Sequence, residues 1–530
     1  MKYTALHRQL FTWALLTGFA WLIGLPISFA LADVQAMPST SAPVVLSYQE
    51  LKTLLDHPHT SPGIVQKADK LLRTPFIYKN PEASPPAKLT TPRFEQAVRV
   101  AAWNIERGFQ ADRIIDVFKS NNLDNAPADL REQAEWLSKS QVLLLTEVDN
   151  GMNRTQYQDI AQKLASALGM HAVYGVEFLE LGPIHLENRM RTLTNEEKKQ
   201  TKISDYALDP QKYHGMHGSA ILSRYPILNV QIIRLPNGYD WYRGEQEKLS
   251  VLEKAKRKTA DLIFLEHMLT EIRWGGRMAL AVDLAIPELP EKRATFVVVH
   301  LENRAKPEAR KAQMAALLQA LKDRRNPVVI GGDWNTTGSD VSPTSVRKEV
   351  RNLATNPSFW AKQAISMLAP YGLFINLGLN TTQFTKNLFN PAAADIPLLA
   401  PNPEKELFTL IENFRFLDGT CIDTRGDKNK TFNKTGGFMA NSNQKWLKGF
   451  VPTFSFERAF VKGVIGKYKL DWMMVKGYAK KPVPEESYLF APHDARTLTG
   501  INRIFSTRLS DHDPITVDLP LEKEPSSNSL

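Results

Sequence analysis

Acidic, amide and imidazole side chains recur at the ends of short apolar runs in this chain. They are Asn104 and Glu106 after Val98–Trp103, Glu147 after Val142–Leu145, His300 after Thr295–Val299, Asp333 and Asn335 after Val328–Ile330, Asp471 before Trp472–Val475, and Asp511 and His512 before Ile515–Val517. Carboxylates brought together away from water are costly unless a cation neutralises them. If these ends converge, they would form a site for a hard metal ion with oxygen ligands.

Strands and helices must position these side chains, and the sequence shows both patterns. Strand-length runs, several of them rich in Val and Ile, also occur at Ala220–Leu222 and Met278–Leu284. Helix-spaced apolar residues occur in Ser47–His57, Ile64–Leu72, Tyr157–Leu168 and Pro307–Lys322. Strands that alternate with helices predict an α/β fold, in which ligand sites collect at strand ends.

The chain divides into four predicted parts. Residues 1–32 are a targeting segment, 33–97 a linker and N-terminal helical extension, 98–519 the main domain, and 520–530 a polar tail. Within the main domain, the stretches near 235–275 and 338–467 interrupt the alternation of strands and helices. We interpret them as insertions because strand-like segments resume after each of them.

The first 32 residues predict export from the cytoplasm. Lys2 and Arg8 precede an uncharged apolar run from Leu10 to Ala32 that ends in a small-residue cleavage signature, Ala30-Leu31-Ala32. The run is long enough to approach the thickness of a bilayer, so an uncleaved membrane anchor remains an alternative to a cleaved signal peptide. Either reading places the main domain outside the cytoplasm, in a bacterial periplasm, with possible membrane association through the N-terminus.

Composition excludes some classes of protein. The 530 residues are 43% hydrophobic and 23% charged, as in an ordinary globular chain. The single cysteine, Cys421, excludes an internal disulfide framework and a cysteine-rich zinc module. The net charge of +10 favours anionic partners such as phosphates, nucleic acid or a membrane surface. No obligate protein partner is evident.

The ordered set of motifs resembles the endonuclease/exonuclease/phosphatase superfamily, which includes deoxyribonucleases, apurinic endonucleases and sphingomyelinases. The matching elements are Trp103-Asn104-Ile105-Glu106-Arg107-Gly108, the segment around Glu147, His217-Gly218-Ser219-Ala220-Ile221-Leu222-Ser223-Arg224, His300-Leu301-Glu302, Gly332-Asp333-Trp334-Asn335, Leu470-Asp471 and Ser510-Asp511-His512-Asp513-Pro514. The resemblance spans about residues 98–519 without the two insertions. It implies a four-layer α/β sandwich, with two mixed β-sheets packed face to face and helices outside.

The resemblance also implies roles for individual residues. Mg²⁺, or alternatively Mn²⁺, would be held by Glu147 with Glu106, Asn104 and Asp511 nearby. Asp333 and Asn335, which point the same way if the strand continues through Trp334, would orient the attacking water and hold the phosphoryl oxygen. His512, oriented by Asp471, and His300 would face the phosphate.

Other residues have weaker signals. Arg277 precedes a strand and is a candidate, with Asn104, for binding the substrate, although a solvated arginine is the alternative. Arg154 and His217 are expected to be structural. The basic run 254–258 (KAKRK) is typical of a solvated helix face, and Tyr239, Trp241 and Tyr242 are expected to pack a core rather than stack on a base.

These observations predict a metal-dependent phosphoesterase that uses an activated water, most readily a phosphodiesterase or nuclease. A phospholipid or sugar-phosphate phosphoesterase of the same fold is the alternative, and a non-catalytic binding protein is a third reading. The third is disfavoured because no expected catalytic position is missing.

Overall fold

The computed structural model describes residues 34–36, 43–83, 86, 88–91, 94–181, 208–246, 271–336, 405–423, 453–460, 465–480 and 489–522. The helices are α1 Tyr48–Asp56, α2 Pro62–Arg73, α3 Ala111–Lys119, α4 Ala128–Ser138, α5 Ile160–Leu168, α6 Arg243–Gln246, α7 Pro307–Leu321 and α8 Lys405–Asn413. The strands are β1 Val34–Ala36, β2 Phe76–Tyr78, β3 Ala97–Arg107, β4 Val142–Asn150, β5 His171–Glu180, β6 Met216–Ser223, β7 Ile227–Arg234, β8 Arg273–Gly275, β9 Met278–Ala285, β10 Arg293–Val299, β11 Val328–Asp333, β12 Ile422–Asp423, β13 Phe454–Phe460, β14 Ile465–Tyr468, β15 Asp471–Lys476, β16 His493–Thr497 and β17 Ile515–Pro520.

The strands form two mixed sheets. In the first, the order across the described part of the chain is β1-β7-β9-β10-β11-β15-β12, and in the second it is β16-β17-β3-β4-β6-β5-β2, with β8 also paired to β5. The pairs β3–β4 and β10–β11 are parallel, and the other pairs are antiparallel. The strands β13 and β14 form a separate antiparallel hairpin.

The alternation of side chains along each strand separates the apolar residues into layers. On β3, Val98, Val100 and Ala102 belong to the core between the sheets, together with Phe296 and Val298 of β10. The opposite face of the second sheet packs on α1 to α5, and the opposite face of the first sheet packs on α7 and α8. The order is therefore helices, sheet, sheet, helices, which confirms the four-layer α/β sandwich predicted from the sequence.

Local sequence explains where the helices begin and end. Ser47 and Glu50 form a capping box at the start of α1, and Asp159 accepts the backbone N–H of Gln162 at the start of α5. Gly169 ends α5 in the left-handed conformation that glycine adopts without strain. Pro307 occupies the first turn of α7, where its missing N–H costs nothing.

Several elements have little sequence signal. The strands β1 and β2 lie in the stretch 33–97, which the sequence assigned to linker and helices, and they join sheet edges through β7 and β5. Each has three residues, which is too short for alternation to show. In the stretch 338–467, α8 packs against the first sheet and β12 extends it.

Some predictions fall on residues outside the described ranges. They are the targeting segment 1–32, the basic run 254–258 and residues 523–530 of the tail. Among the residues that are described, no helix has both the length and the apolar character needed to cross a membrane. Export therefore stays a prediction from the sequence.

Candidate active site

The candidate site lies at one open end of the space between the two sheets. Val100 and Ala102 of β3 face that space, so Asn104 continues the same face. Val329 of β11 also faces it, so Asp333 meets Asn104 from the opposite sheet, with Asn104 Nδ2 3.2 Å from Asp333 Oδ2. Two side chains distant in sequence are thus brought into contact by strand alternation alone.

Two β-bulges turn glutamates toward this end. The register between β3 and β4 shifts between Asn104 and Arg107, and that between β4 and β6 shifts between Leu145 and Val148. Glu106 and Glu147 lie in these irregular stretches, with φ values of 47° and 54°. Non-glycine residues adopt such values rarely, and bulges re-aim side chains next to functional sites.

Asp333 is the central carboxylate of the site. It is 2% exposed, its Oδ1 accepts the backbone N–H of Asn335 at 2.8 Å, and its Oδ2 accepts from Asn104. Burial raises the pKa of Asp333 to about 7; His512 opposes the shift, whereas Asp471 adds to it. A carboxylate with a pKa near neutrality can take a proton from water at physiological pH.

His512 and Asp471 form a buried pair beside Asp333. Nδ1 of His512 lies 2.7 Å from Asp471 Oδ2, and Nε2 lies 3.7 Å from Asp333 Oδ2. Burial by itself would lower the pKa of His512, but the carboxylates of Asp471 and Asp333 outweigh it and raise this pKa well above its ordinary value. The two carboxylates therefore favour the protonated ring, in which Nε2 carries a proton.

Glu106, Glu147 and Asp511 make the acidic side of the site. Burial raises the pKa of Glu106 to about 8, and the charges of Asp511 and Glu147 add to that effect while Arg508 and Arg107 oppose it. Burial would also raise the pKa of Glu147, but Arg107, His217 and the hydrogen bond from Asn104 lower it. Carboxylates crowded in this way fit a divalent cation, which would relieve their repulsion.

Asn104 holds the acidic side together. Its Nδ2 lies 3.2 Å from both Glu147 Oε1 and Asp333 Oδ2, and its Oδ1 accepts the backbone N–H of Glu106 at 3.1 Å. The side chain is fully buried. The amide thus positions the two carboxylates, and a contact between Asn104 and substrate stays a prediction.

Arg277 is a buried arginine in contact with two carboxylates. It is 2% exposed, donates to Glu177 Oε2 at 2.7 Å, and lies 3.4 Å from Glu302. Both partners are carboxylates inside the protein, and the substrate contact of Arg277 stays a prediction. Its charge contributes to the low pKa of His300.

The two residues expected to be structural, Arg154 and His217, belong to one buried charge network. Arg154 donates twice to Asp149, at 2.6 and 2.8 Å, and twice to Glu180, at 3.0 Å. Asp149 Oδ1 also lies 2.8 Å from Nδ1 of His217. The network connects the bulged end of β4 to β5 and β6.

The aromatic residues of the first insertion pack internally, as expected. Trp241 is 4% exposed, the guanidinium groups of Arg273 and Arg304 each lie 4.5 Å from its ring centre, and its Nε1 donates to Glu302. Tyr242 donates its hydroxyl to the carbonyl of Leu55.

Sequence reasoning missed three contributors to this end of the molecule. Glu177 and Glu180 end the apolar run of β5, so the strand-end criterion would have found them had β5 been recognised. Thr453 gave no signal: its hydroxyl accepts the backbone N–H groups of Leu470 and Asp471 at 3.0 and 3.1 Å and so fixes the start of β15.

Comparison with known proteins places these residues within one family match. A sequence profile of the Endonuclease/Exonuclease/phosphatase family matches residues 101–512. No curated protein matched the chain. The range 101–512 contains all of the predicted site residues.

Solved structures resemble the chain at low identity. An endonuclease/exonuclease/phosphatase from Beutenbergia cavernae is 14% identical, with 81% of this chain and 73% of that chain covered and a TM-score of 0.39. A 3'-5' exonuclease from Neisseria meningitidis is 12% identical, with 80% and 100% covered and a TM-score of 0.37. An AP endonuclease from Archaeoglobus fulgidus is 11% identical, with 80% and 99% covered and a TM-score of 0.34.

Proposed function

Because the chain belongs to the endonuclease/exonuclease/phosphatase family, we propose that it hydrolyses a phosphate ester by direct attack of water, with a phosphodiester such as nucleic acid as the preferred substrate. The observation that carries the proposal is the position of Asp333. It is a buried carboxylate with a pKa of about 7, held by Asn104 and facing the Asp471-bound ring of His512. A base and an acid thus lie side by side.

Each residue has a task in this reaction. Asp333 accepts a proton from the attacking water, so that hydroxide develops next to phosphorus. His512, kept protonated by Asp471, donates to an oxygen of the phosphoryl group and stabilises its growing charge. No side chain in the described part of the site is placed as a covalent nucleophile. The single cysteine, Cys421, is buried and immediately precedes β12 at the edge of the first sheet.

We further propose that Glu106, Glu147 and Asp511 hold a divalent cation, Mg²⁺ or Mn²⁺. The cation would neutralise charge on the phosphate and the departing oxygen. Burial, and after it the charges of Asp511 and Glu147, raise the pKa of Glu106, and this supports the assignment because a cation would offset the cost of burying several carboxylates together.

Hydrolysis of bis(p-nitrophenyl) phosphate tests the proposal. We expect the full-length protein to release p-nitrophenolate with Mg²⁺ or Mn²⁺ and to stop in the presence of a chelator. Asp333→Asn, which keeps the shape but cannot accept the proton, should lose at least about a hundredfold in kcat/KM. The matched control is His59→Asn, on an exposed residue outside the site. Unchanged turnover in Asp333→Asn would contradict the assignment of the base.

A plasmid assay on the same samples tests the substrate class. Nicking of supercoiled plasmid that requires the cation and is lost in Asp333→Asn would support a nuclease. Hydrolysis of the small ester with intact plasmid would contradict the nuclease proposal and direct attention to smaller phosphate esters.

A further inference from the structure

Both N–H groups of the Asn335 side-chain amide are used inside the protein. Its Nδ2 lies 3.0 Å from the carbonyl oxygen of Leu301 and 3.0 Å from Nε2 of His300. The carbonyl oxygen of Leu301 can only accept, so the amide atom beside it is the nitrogen, and the flipped side chain would place two oxygens in contact. The polar atom that the Asn335 side chain has left for a ligand is therefore its carbonyl oxygen, Oδ1.

The same contacts determine where the His300 ring carries its proton. Two N–H donors do not face each other at 3.0 Å, so Nε2 accepts the second N–H of Asn335 and the ring proton is on Nδ1. Donation from Nε2 to Asp333 is disfavoured, because Asp333 Oδ2 lies at 3.4 Å, beyond the usual length of such a bond. Burial and the charge of Arg277 lower the pKa of His300 well below its usual value, which agrees with a neutral ring.

The backbone holds this ring and this amide against each other. The parallel alignment of β10 with β11 continues past the end of β10, where the N–H of Leu301 donates to the carbonyl oxygen of Asp333 at 3.0 Å. Asn335 has a φ of 46°, and its own N–H donates to Asp333 Oδ1 at 2.8 Å. His300, Asp333 and Asn335 are all buried. The orientation of the amide is therefore built into the end of the sheet.

The orientation of the Asn335 amide decides what it can bind. A carbonyl oxygen repels the anionic oxygens of a phosphate group, but it accepts a hydrogen bond from water. Asp333, the proposed base, is also an acceptor and is hydrogen-bonded to the backbone of Asn335. Two acceptors can hold the two O–H bonds of one water molecule and leave its lone pairs free to attack phosphorus.

We propose that His300 is a positioning residue, which accepts from Asn335 through an unprotonated Nε2 and thereby keeps Oδ1 of Asn335 available to the attacking water. The inference rests on the proposed function, in which Asp333 takes the proton of that water. It differs from the roles predicted from the sequence, in which His300 faces the phosphate and Asn335 holds the phosphoryl oxygen.

Nitrogen-15 NMR of the histidine rings in the full-length protein tests the state of His300 without turnover. We expect the ring resonances that disappear in His300→Gln to report, at pH 7, a neutral ring with its proton on Nδ1. A proton on Nε2, or a ring protonated on both nitrogens, would overturn the inference, because either form turns an N–H toward the amide nitrogen of Asn335.

Two substitutions of different chemistry test whether His300 acts through Asn335. His300→Leu removes the acceptor, whereas His300→Gln can place its amide oxygen near the position of Nε2. We expect kcat for bis(p-nitrophenyl) phosphate to fall about ten- to a hundredfold in His300→Leu and by less than about fivefold in His300→Gln. In an Asn335→Ala background, His300→Leu should change kcat by less than about twofold, because its route of action is already lost. The control is His59→Leu, on an exposed residue.

The outcomes separate this inference from a direct contact with phosphate and from the proposed function. Full additivity of the kcat losses of His300→Leu and Asn335→Ala would contradict the inference. So would a loss of inorganic-phosphate affinity in His300→Leu, measured by titration calorimetry, because the ring would then contact the phosphate itself. If the wild type hydrolyses no ester, or if His300→Leu does not fold in a thermal unfolding assay, the NMR comparison of wild type with His300→Gln still decides the arrangement of His300 and Asn335.

Discussion

At the scale of single residues, the surroundings of each ionisable group in the site shift its pKa in a different direction. Asp333 and Glu106 have raised pKa values because burial and neighbouring carboxylates disfavour their charged forms. Asp471 raises the pKa of His512 despite its burial, whereas burial and the charge of Arg277 lower the pKa of His300. Groups of the same chemical type thereby acquire different tasks, which is a recurring property of catalytic sites.

The raised pKa of Asp333 predicts a pH dependence. In the proposed mechanism the carboxylate form of Asp333 is the base, and the group gains a proton as pH falls through about 7. We therefore expect kcat/KM for bis(p-nitrophenyl) phosphate to rise with pH up to about 7 and to level off above it. The midpoint of this rise in kcat/KM should stay at the same pH when Mg²⁺ is replaced by Mn²⁺. A midpoint that shifts with the metal would indicate ionisation of metal-bound water instead.

At the scale of elements, strand ends and their irregularities aim the functional groups. The bulges of β3 and β4 turn Glu106 and Glu147 toward the acidic side, and Asn335 has a φ of 46° directly after β11. Such strained conformations persist when the surrounding structure holds them in place. Here the parallel pairing of β10 and β11 does so, because it brings His300 and Asn335 to the same sheet end.

A substitution at Gly332 tests the pairing of β10 with β11. Its φ is 134°, and an added Cβ would lie 2.3 Å from the carbonyl oxygen of Val299. We expect Gly332→Ala to destabilise the protein by about 3 kcal/mol or more and to reduce activity by displacing Asp333. Chemical denaturation and the ester assay measure the two effects.

The matched control is Gly169→Ala at the end of α5. That glycine also has a positive φ, 61°, but no atom lies within 4 Å of the added Cβ. We expect Gly169→Ala to lower the free energy of unfolding by about 1–2 kcal/mol, from backbone strain alone, and to leave activity unchanged. Similar losses of stability in the two variants would contradict the close-approach explanation.

At the scale of the whole molecule, buried ion pairs connect strands of the second sheet. Arg99 and Asp518, paired across β3 and β17, and Arg154 with Asp149 and Glu180 are buried ion pairs whose partners satisfy one another. Removing one member of such a pair leaves an uncompensated charge. The net charge of +10 acts at longer range, since it attracts polyanions before any specific contact forms.

This charge predicts a salt dependence that separates substrate classes. A nuclease that neutralises several phosphates should lose affinity for plasmid by more than about tenfold between 50 and 200 mM salt, because counterions compete for the nucleic acid. Hydrolysis of bis(p-nitrophenyl) phosphate by the same protein should change little. Equal and weak salt dependence for both substrates would contradict a nucleic-acid substrate.

The fold class and most of the candidate site could be predicted from the sequence, because both follow from local patterns. Apolar runs of strand length predicted β3, β4, β10, β11 and β15, and the polar residues that bound these runs are the ones that meet between the sheets. Asp333, Asn335 and His512 could be identified in this way since strand alternation and strand ends are local properties. The family resemblance then connected the separate motifs, and the profile match confirmed the family.

The three-dimensional contacts were needed to show which hydrogen-bonding groups of these side chains are already used inside the protein. Arg277 and Asn104 are recognisable in the sequence, but their partners Glu177, Glu147 and Asp333 come from other strands. Long-range pairing sets these contacts, and a hydrogen-bond donor that is already used inside the protein looks the same in the sequence as one that faces a substrate.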